Sequence, residues 1–345
     1  MIRSLAALAA ILAACRALAS DPLPALAADA NVTASGISSG GFMAVQLHVA
    51  HSRTVKGVGV LAGGPYYCAQ GSLWAALNNC TSPTGRAPLP PVELLKTDAE
   101  VLARGGLIDP VANLATARVW LFAGKLDRVV EPPVVDATKR FYALFKPPPE
   151  NLVLVADKPA GHGMITTDAG VACGATASPF LNDCDYDAAG ELLKHLLGPL
   201  EPPAVKATGR ILRFDQKAFA GGDAFAISMG DSGYAYVPKA CEAETCRVHV
   251  AFHGCRMSVE EIGERFVREA GYNRWADTNR LVVLYPQTTP RNGAWFRDWR
   301  WSYVLNPRSC WDWWGYTGPQ YANKAGPQIR AVKAMIDRLA APRAR

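Results

Sequence analysis

The chain has 345 residues, half of them apolar, which allows one large core or two ordinary ones. Its formal net charge is +6, with basic and acidic residues interspersed and no long basic run. That argues against a nucleic-acid surface and for a mildly basic globular protein; beyond the N-terminal segment, no stretch is apolar for long enough to span a bilayer.

Met1 to Arg3 form a short basic n-region, and residues 4–14 an apolar h-region of the length a secretory signal needs. Two exits are readable. Ala17-Leu18-Ala19 before Ser20 is a small-x-small cleavage site, which makes residues 1–19 a signal peptide. Leu12-Ala13-Ala14-Cys15 instead resembles a bacterial lipoprotein box, with Cys15 as a lipid anchor. Either way the expectation is export, to the periplasm or the medium. Nine cysteines less Cys15 leave Cys68, Cys80, Cys173, Cys184, Cys241, Cys246, Cys255 and Cys310. An even number in an exported chain favours disulfides. There is no CxxC pair and no histidine at ligand spacing, so no metal and no cofactor are expected. The close pairs Cys68/Cys80, Cys173/Cys184 and Cys241/Cys246 suggest local staples and leave Cys255 for Cys310, although eight cysteines allow on the order of 100 connectivities.

Strand-like apolar runs alternate with helical stretches, the pattern of an α/β fold with a mostly parallel sheet. Residues 31–36 lead into Gly36-Ile37-Ser38-Ser39-Gly40-Gly41, and 42–50 read as a helix. Strands are expected at 55–62, 117–123 and 151–156, the last followed by a glycine-rich turn, and a helix at 188–197. Residues 198–206, rich in proline, look like a linker. The remainder is richer in β-structure: strands at 209–214, 234–238, 247–252 and 280–285, with a helical stretch at 259–278. A tryptophan-heavy loop (295–316) and an amphipathic helix (328–339) close the chain.

Gly36 to Gly41 have the form of a nucleophile elbow, a strained strand-to-helix turn whose positions two before and two after the serine must be very small. For Ser38 those are Gly36 and Gly40; for Ser39 one of them is Ile37. Ser38 is therefore the candidate nucleophile, and Ser39 the residue whose backbone N–H helps bind an oxyanion. His48, His51, His195 and His249 fall within helices or strands and read as structural. His162 lies in a glycine-rich turn after strand 151–156, where active sites of α/β sheets gather. Asp127 follows strand 117–123 in the same way and is the candidate acid; Asp136 and Asp157 are its competitors. The order Ser38, Asp127, His162 is that of α/β-hydrolases.

In that fold several strands precede the elbow, and here almost none does. The second half supplies them. Strand 247–252 runs into His253-Gly254-Cys255, a loop with the look of a second oxyanion donor, and strand 280–285 follows. Placing the chain's end before residue 29 restores the usual order. The expectation is thus a circularly permuted α/β-hydrolase, one domain over 29–340. Residues 29–197 would carry elbow, acid and base, and 207–340 the oxyanion and tryptophan loops. Permutation is tolerable because termini often lie close together at the surface.

GISSGGFMA at 36–44, AGGPYYC at 62–68, HVAFHGC at 249–255, GYNRWADTNRLVVLYPQ at 271–287 and NPRSCWDWWGY at 306–316 resemble the single-domain, circularly permuted poly(3-hydroxybutyrate) depolymerases. The resemblance implies Ser38, Asp127 and His162 as the triad, and the N–H groups of Ser39 and Cys255 as the oxyanion hole. It also implies that a tryptophan of the last segment, Trp313 or else Trp314, helps hold a polyester substrate. The expected reaction is hydrolysis of a short-chain polyhydroxyalkanoate through an acyl-enzyme. Two alternatives are a feruloyl or acetylxylan esterase, which shares elbow and oxyanion loop, and a non-catalytic polymer-binding protein held by its tryptophans.

Overall fold

The computed structural model describes residues 21–297 and 300–343, without the side chains of 295–302. The expected signal peptide and Cys15 lie outside the described residues. The chain begins with β1 (Val32–Ile37), α1 (Ser39–Ala50), β2 (Val55–Leu61), α2 (Leu73–Asn78), α3 (Val92–Arg104), β3 (Arg118–Phe122), α4 (Pro132–Ala143) and β4 (Leu152–Val155). Three short strands follow, β5 (Met164–Thr166), β6 (Val171–Ala172) and β7 (Leu181–Asp183), and then α5 (Ala188–Leu197). The second half carries β8 (Arg210–Asp215), β9 (Ser232–Val237), β10 (Arg247–Phe252), α6 (Val259–Ile262), α7 (Arg265–Glu269), α8 (Tyr272–Thr278) and β11 (Leu281–Tyr285). It ends with β12 (Arg291–Arg297), β13 (Arg300–Asn306) and α9 (Pro327–Ala340).

One eight-stranded sheet runs in the order β4-β3-β2-β1-β10-β11-β9-β8. The six strands from β4 to β11 are parallel, and β9 and β8 pair antiparallel at one edge. The halves join where β1 lies parallel to β10, from Val32 beside Val248 to Gly36 beside Phe252. Central strands are covered on both faces and so read as near-continuous apolar runs. On one face Val32, Ala34, Val248, Val250, Val282 and Leu284 pack with α1, α3 and α9; on the other, Trp120, Phe122, Val283 and Tyr285 pack with α5 and α8. Helix α1 is buried along its whole length, as its lack of a polar face requires.

The permutation has a simple physical basis. The start of the described chain lies on the last turn of α9: the Leu26 and Ala28 amides donate to Leu339 O (3.0 and 3.1 Å), and Ala27 N–H to Ala341 O (3.0 Å). Helix α9 therefore hands over to β1 as a crossover helix would, without a peptide bond between them.

Four expectations need correction. Helices α2, α3 and α4 were not anticipated, although Val92, Leu95 and Ala99 give α3 a helical buried stripe. The helical stretch at 259–278 is broken into α6, α7 and α8, with Gly263 and Gly271 at positive φ between them. Residues 295–316 are only partly loop, because β12 and β13 pair antiparallel from Arg291–Asn306 to Arg297–Arg300. Finally, 198–206 is a strap on α8 rather than a free linker. The Ala204 amide donates to Arg274 O at 2.9 Å and Arg274 Nε returns a bond to Ala204 O at 2.8 Å. The prolines prevent regular structure, and α8 satisfies the backbone instead.

The expected disulfides are all formed: Cys68–Cys80, Cys173–Cys184, Cys241–Cys246 and Cys255–Cys310.

Candidate active site

The parallel arrangement delivers four loops to one edge of the sheet: 38 after β1, 127 after β3, 162 after β4 and 253–255 after β10. Ser38 sits between β1 and α1 at φ 57, ψ −124, a conformation that costs a non-glycine residue of order 1–3 kcal/mol. The glycine argument holds in three dimensions. A Cβ on Gly36 would lie 2.2 Å from Gly40 O, and one on Gly40 would lie 2.3 Å from His253 O. The strained turn closes only with glycine at both places. Ser39 opens α1, so its N–H has no earlier helical carbonyl to bond. Its side chain points elsewhere: Ser39 Oγ accepts the Trp311 amide at 3.3 Å.

Asp127 and His162 are brought together. Asp127 Oδ2 lies 2.8 Å from His162 Nδ1, and both residues are buried. The other carboxylate oxygen accepts the amides of Val129 and Val130 at 2.8 and 3.0 Å, which aims the group. The loops also touch through backbone, with Leu126 N–H bonded to Ala160 O at 3.0 Å. Behind the histidine, its own amide donates to Thr176 Oγ1 (3.0 Å), and Gly161 N–H to Cys173 O (2.8 Å), beside the Cys173–Cys184 bridge. The competing acids lie on the surface, Asp136 paired with Arg140 and Asp157 with Lys158.

The loop after β10 lies against the elbow: a Cβ on Gly254 would be 3.3 Å from Ser38 Cβ. Cys255, one residue on, is bridged to Cys310. Of the other histidines, His48 and His249 are held in the interior. His48 Nδ1 is 2.8 Å from Tyr142 Oη, and His249 lies between Thr33 Oγ1 (2.8 Å) and Ser35 Oγ (2.7 Å). Burial pushes both rings down to a pKa of about 3. His195 Nε2 is 3.0 Å from Asn151 O.

Trp313 and Trp314 are less exposed than a binding platform would be. Trp313 and Trp314 retain 6% and 9% exposure, and Trp313 stacks flat on Phe42 of the elbow helix, centroids 4.0 Å apart. Trp314 packs edge-on against Trp313, centroids 5.6 Å apart. Asp312 shapes the loop that carries them by accepting the amides of Gly315, Tyr316 and Thr317 at 2.7, 3.0 and 2.8 Å. Sequence reasoning missed Asp312, and it missed Trp74, which is 62% exposed on α2. A cleft of about 530 Å³ lined by Asp168, Lys206, Arg268 and Arg274 involves none of Ser38, Asp127 or His162. Among the described residues no three His, Cys, Asp or Glu side chains gather as a metal site, and no helix is long and apolar enough to cross a membrane.

An eight-stranded, largely parallel sheet whose order is restored by joining its ends, with an elbow at the centre, defines a circularly permuted α/β-hydrolase. No family model matches the sequence. The chain is 34% identical over 330 residues to a polyhydroxybutyrate depolymerase of Talaromyces funiculosus, covering 93% of each. It is 45% identical over 325 residues to a poly(3-hydroxybutyrate) depolymerase of Delftia acidovorans, covering 92% of this chain but only 61% of that enzyme. Among solved structures it resembles a serine-to-alanine variant of a PHB depolymerase complexed with an R3HB trimer (TM-score 0.82) and a PHB depolymerase from Penicillium funiculosum (TM-score 0.81). Each is 33% identical, with 92% of this chain and 98% of that chain covered. The chain belongs to the polyhydroxybutyrate depolymerase family.

Proposed function

We propose that the protein is an exported serine esterase that hydrolyses poly(3-hydroxybutyrate) or a related short-chain polyhydroxyalkanoate, and its oligomers, to 3-hydroxyalkanoate products. The observation that carries this reading is the Asp127–His162 pair at 2.8 Å, on the same strand edge as a strained Ser38. With Nδ1–H given to the carboxylate, His162 Nε2 is left as a base. It takes the Ser38 hydroxyl proton as Oγ attacks the ester carbonyl. Asp127 stabilises the imidazolium, and the Ser39 and Cys255 N–H groups receive the oxyanion. His162 then protonates the departing 3-hydroxyl, and next activates the water that releases the acyl group.

The trimer complex of a relative supports the substrate class. Support for a solid polymer comes from Trp74 and Leu77 on α2 and from Leu126 and Val129 flanking Asp127, all exposed. The two groups share one neighbourhood, since Glu131 N–H donates to Thr81 O at 2.9 Å. Apolar surface of this kind suits a polyester face. Residues 29–340 would act as one catalytic domain, with 1–19 as the export signal or Cys15 as a lipid anchor; four disulfides fit an oxidising compartment.

The test is clearing of a polyhydroxybutyrate suspension set beside release of ferulate from feruloyl esters, with fluorophosphonate labelling of Ser38. Clearing with labelling is expected. Ferulate release without clearing would make the protein a carbohydrate esterase, and absence of labelling a binding protein.

A further inference from the structure

We infer that His253 is a positioning residue for the oxyanion hole: its Nδ1–H, given to the Gly254 carbonyl, sets the tilt of the peptide that carries the Cys255 N–H. The inference rests on the reading of Ser38 as nucleophile and the Cys255 amide as oxyanion donor.

Two backbone groups determine the ring's proton. His253 Nε2 lies 3.2 Å from the Thr288 amide nitrogen, and a backbone N–H can only donate, so Nε2 is bare. The hydrogen is then on Nδ1, 2.7 Å from Gly254 O, which can only accept. Gly254 C=O and Cys255 N–H belong to one planar trans peptide, in which they point in opposite directions. Drawing the carbonyl onto the buried ring therefore turns the amide the other way, on a loop packed against Ser38.

The ring itself is held on several sides. It is fully buried, with the Trp311 and Phe266 rings at centroid distances of 5.6 and 6.3 Å. Thr288, its backbone donor, gives its hydroxyl to Ser309 O at 2.5 Å. Ser309 precedes Cys310, whose sulfur is joined to Cys255, and Cys310 precedes Trp311, whose amide is held by Ser39 Oγ. Three consecutive residues, Ser309 to Trp311, thus connect to both oxyanion donors and to the ring that orients one of them. Burial also pushes His253 down to a pKa of about 4, which keeps the ring neutral near pH 7. A protonated ring would set a second N–H against the Thr288 amide.

The experiment compares His253→Asn, His253→Gln and His253→Leu with the parent protein on a soluble p-nitrophenyl ester. Affinity for a boronate mimic of the tetrahedral intermediate and urea midpoints are measured alongside. The asparagine amide can reach the Nδ1 position and keep the donor to Gly254 O; glutamine reaches the Nε2 position, and leucine offers nothing. The expected result for Leu and Gln is a fall in kcat of about 10–100-fold with KM nearly unchanged, and a matching loss of boronate affinity. The Asn variant is expected to recover most of this. Equal losses in Asn and Gln, or losses that follow the urea midpoint rather than boronate affinity, would overturn the inference; if the Leu protein does not fold, the Asn–Gln contrast decides. Ser38→Ala is run in parallel. If it is inactive while all His253 variants behave as the parent, only the inference fails; if it stays active, the underlying reading fails and takes the inference with it.

Discussion

The two halves of the sheet equip the same edge in different ways. In the proposed reaction the first half supplies the reacting side chains: Ser38 on a strained turn and His162 after β4, which pass the proton between them, and Asp127 after β3, which holds His162 at 2.8 Å. The second half supplies a backbone loop, the one after β10, held by the His253 ring and the Cys255–Cys310 bridge. A reacting side chain is aimed by its own hydrogen bonds. An amide donor has no such freedom, and its direction is set by whatever grips the neighbouring peptide.

The sharpest way to break this contrast is at the elbow. Ser38→Ala should lower kcat by on the order of 10⁴–10⁶-fold, and Ser39→Ala by less than about tenfold, since Ser39 loses only a bond to the Trp311 amide. Single-turnover assays on a soluble ester would show it, and a reversed order would mean that the elbow register is wrong. Asp127→Asn should cost about 10³–10⁴-fold in kcat by removing the acceptor that holds Nδ1–H, with KM little changed.

Strand β10 offers an internal control in the other half, because a disulfide lies just beyond each of its ends. Replacing both cysteines by alanine should destabilise the fold by about 2–4 kcal/mol in either case. Only loss of Cys255–Cys310 should also lower kcat, by about tenfold, as read from urea midpoints and esterase kinetics together. If Cys241–Cys246 costs as much activity, the bracing is general rather than local. Asp312→Ala strips the buried amides of Gly315, Tyr316 and Thr317 of their acceptor. A stability loss of about 2–4 kcal/mol is expected, with a KM for oligomers raised several-fold and kcat on a small ester retained.

A further effect is shared by both halves. His48 and His51 in the first, His249 and His253 in the second, are lowered from 6.5 to between about 3 and 4, chiefly by burial. The unfolded chain therefore takes up protons first as pH falls below about 6.5, and each histidine's contribution is complete above that pH and lost on the way down to its folded value of about 3 or 4. Urea midpoints at pH 7, 5.5 and 4.5 should decline steadily, by up to about 1.4 kcal/mol per histidine per pH unit. A flat profile would mean these rings are solvated.

The candidate site was legible in unusual detail, for a physical reason. The elbow is a local steric problem: Gly36 and Gly40 leave no room for a Cβ, so the small residues are visible in the sequence. Asp127 and His162 were legible by position because parallel strands bring every carboxyl end to one side, although their strands are separated in the chain. Helices α2 to α4 were missed; the stripe of α3 was present but competes with neighbouring proline-rich segments. The β12–β13 pair was hidden in a tryptophan-rich stretch whose composition suggests packing rather than register.

By itself the sequence determined what short-range sterics and periodicity control: the buried strands, the strained serine, the permuted order, and cysteine spacings compatible with the observed staples. The tertiary structure alone decided what depends on partners far apart in the chain. Trp313 is buried rather than displayed because Phe42 lies flat against it. His253 acquired a defined tautomer because Thr288 and Gly254 flank its ring. Such roles arise from which distant groups meet, and no local pattern of residues encodes that meeting.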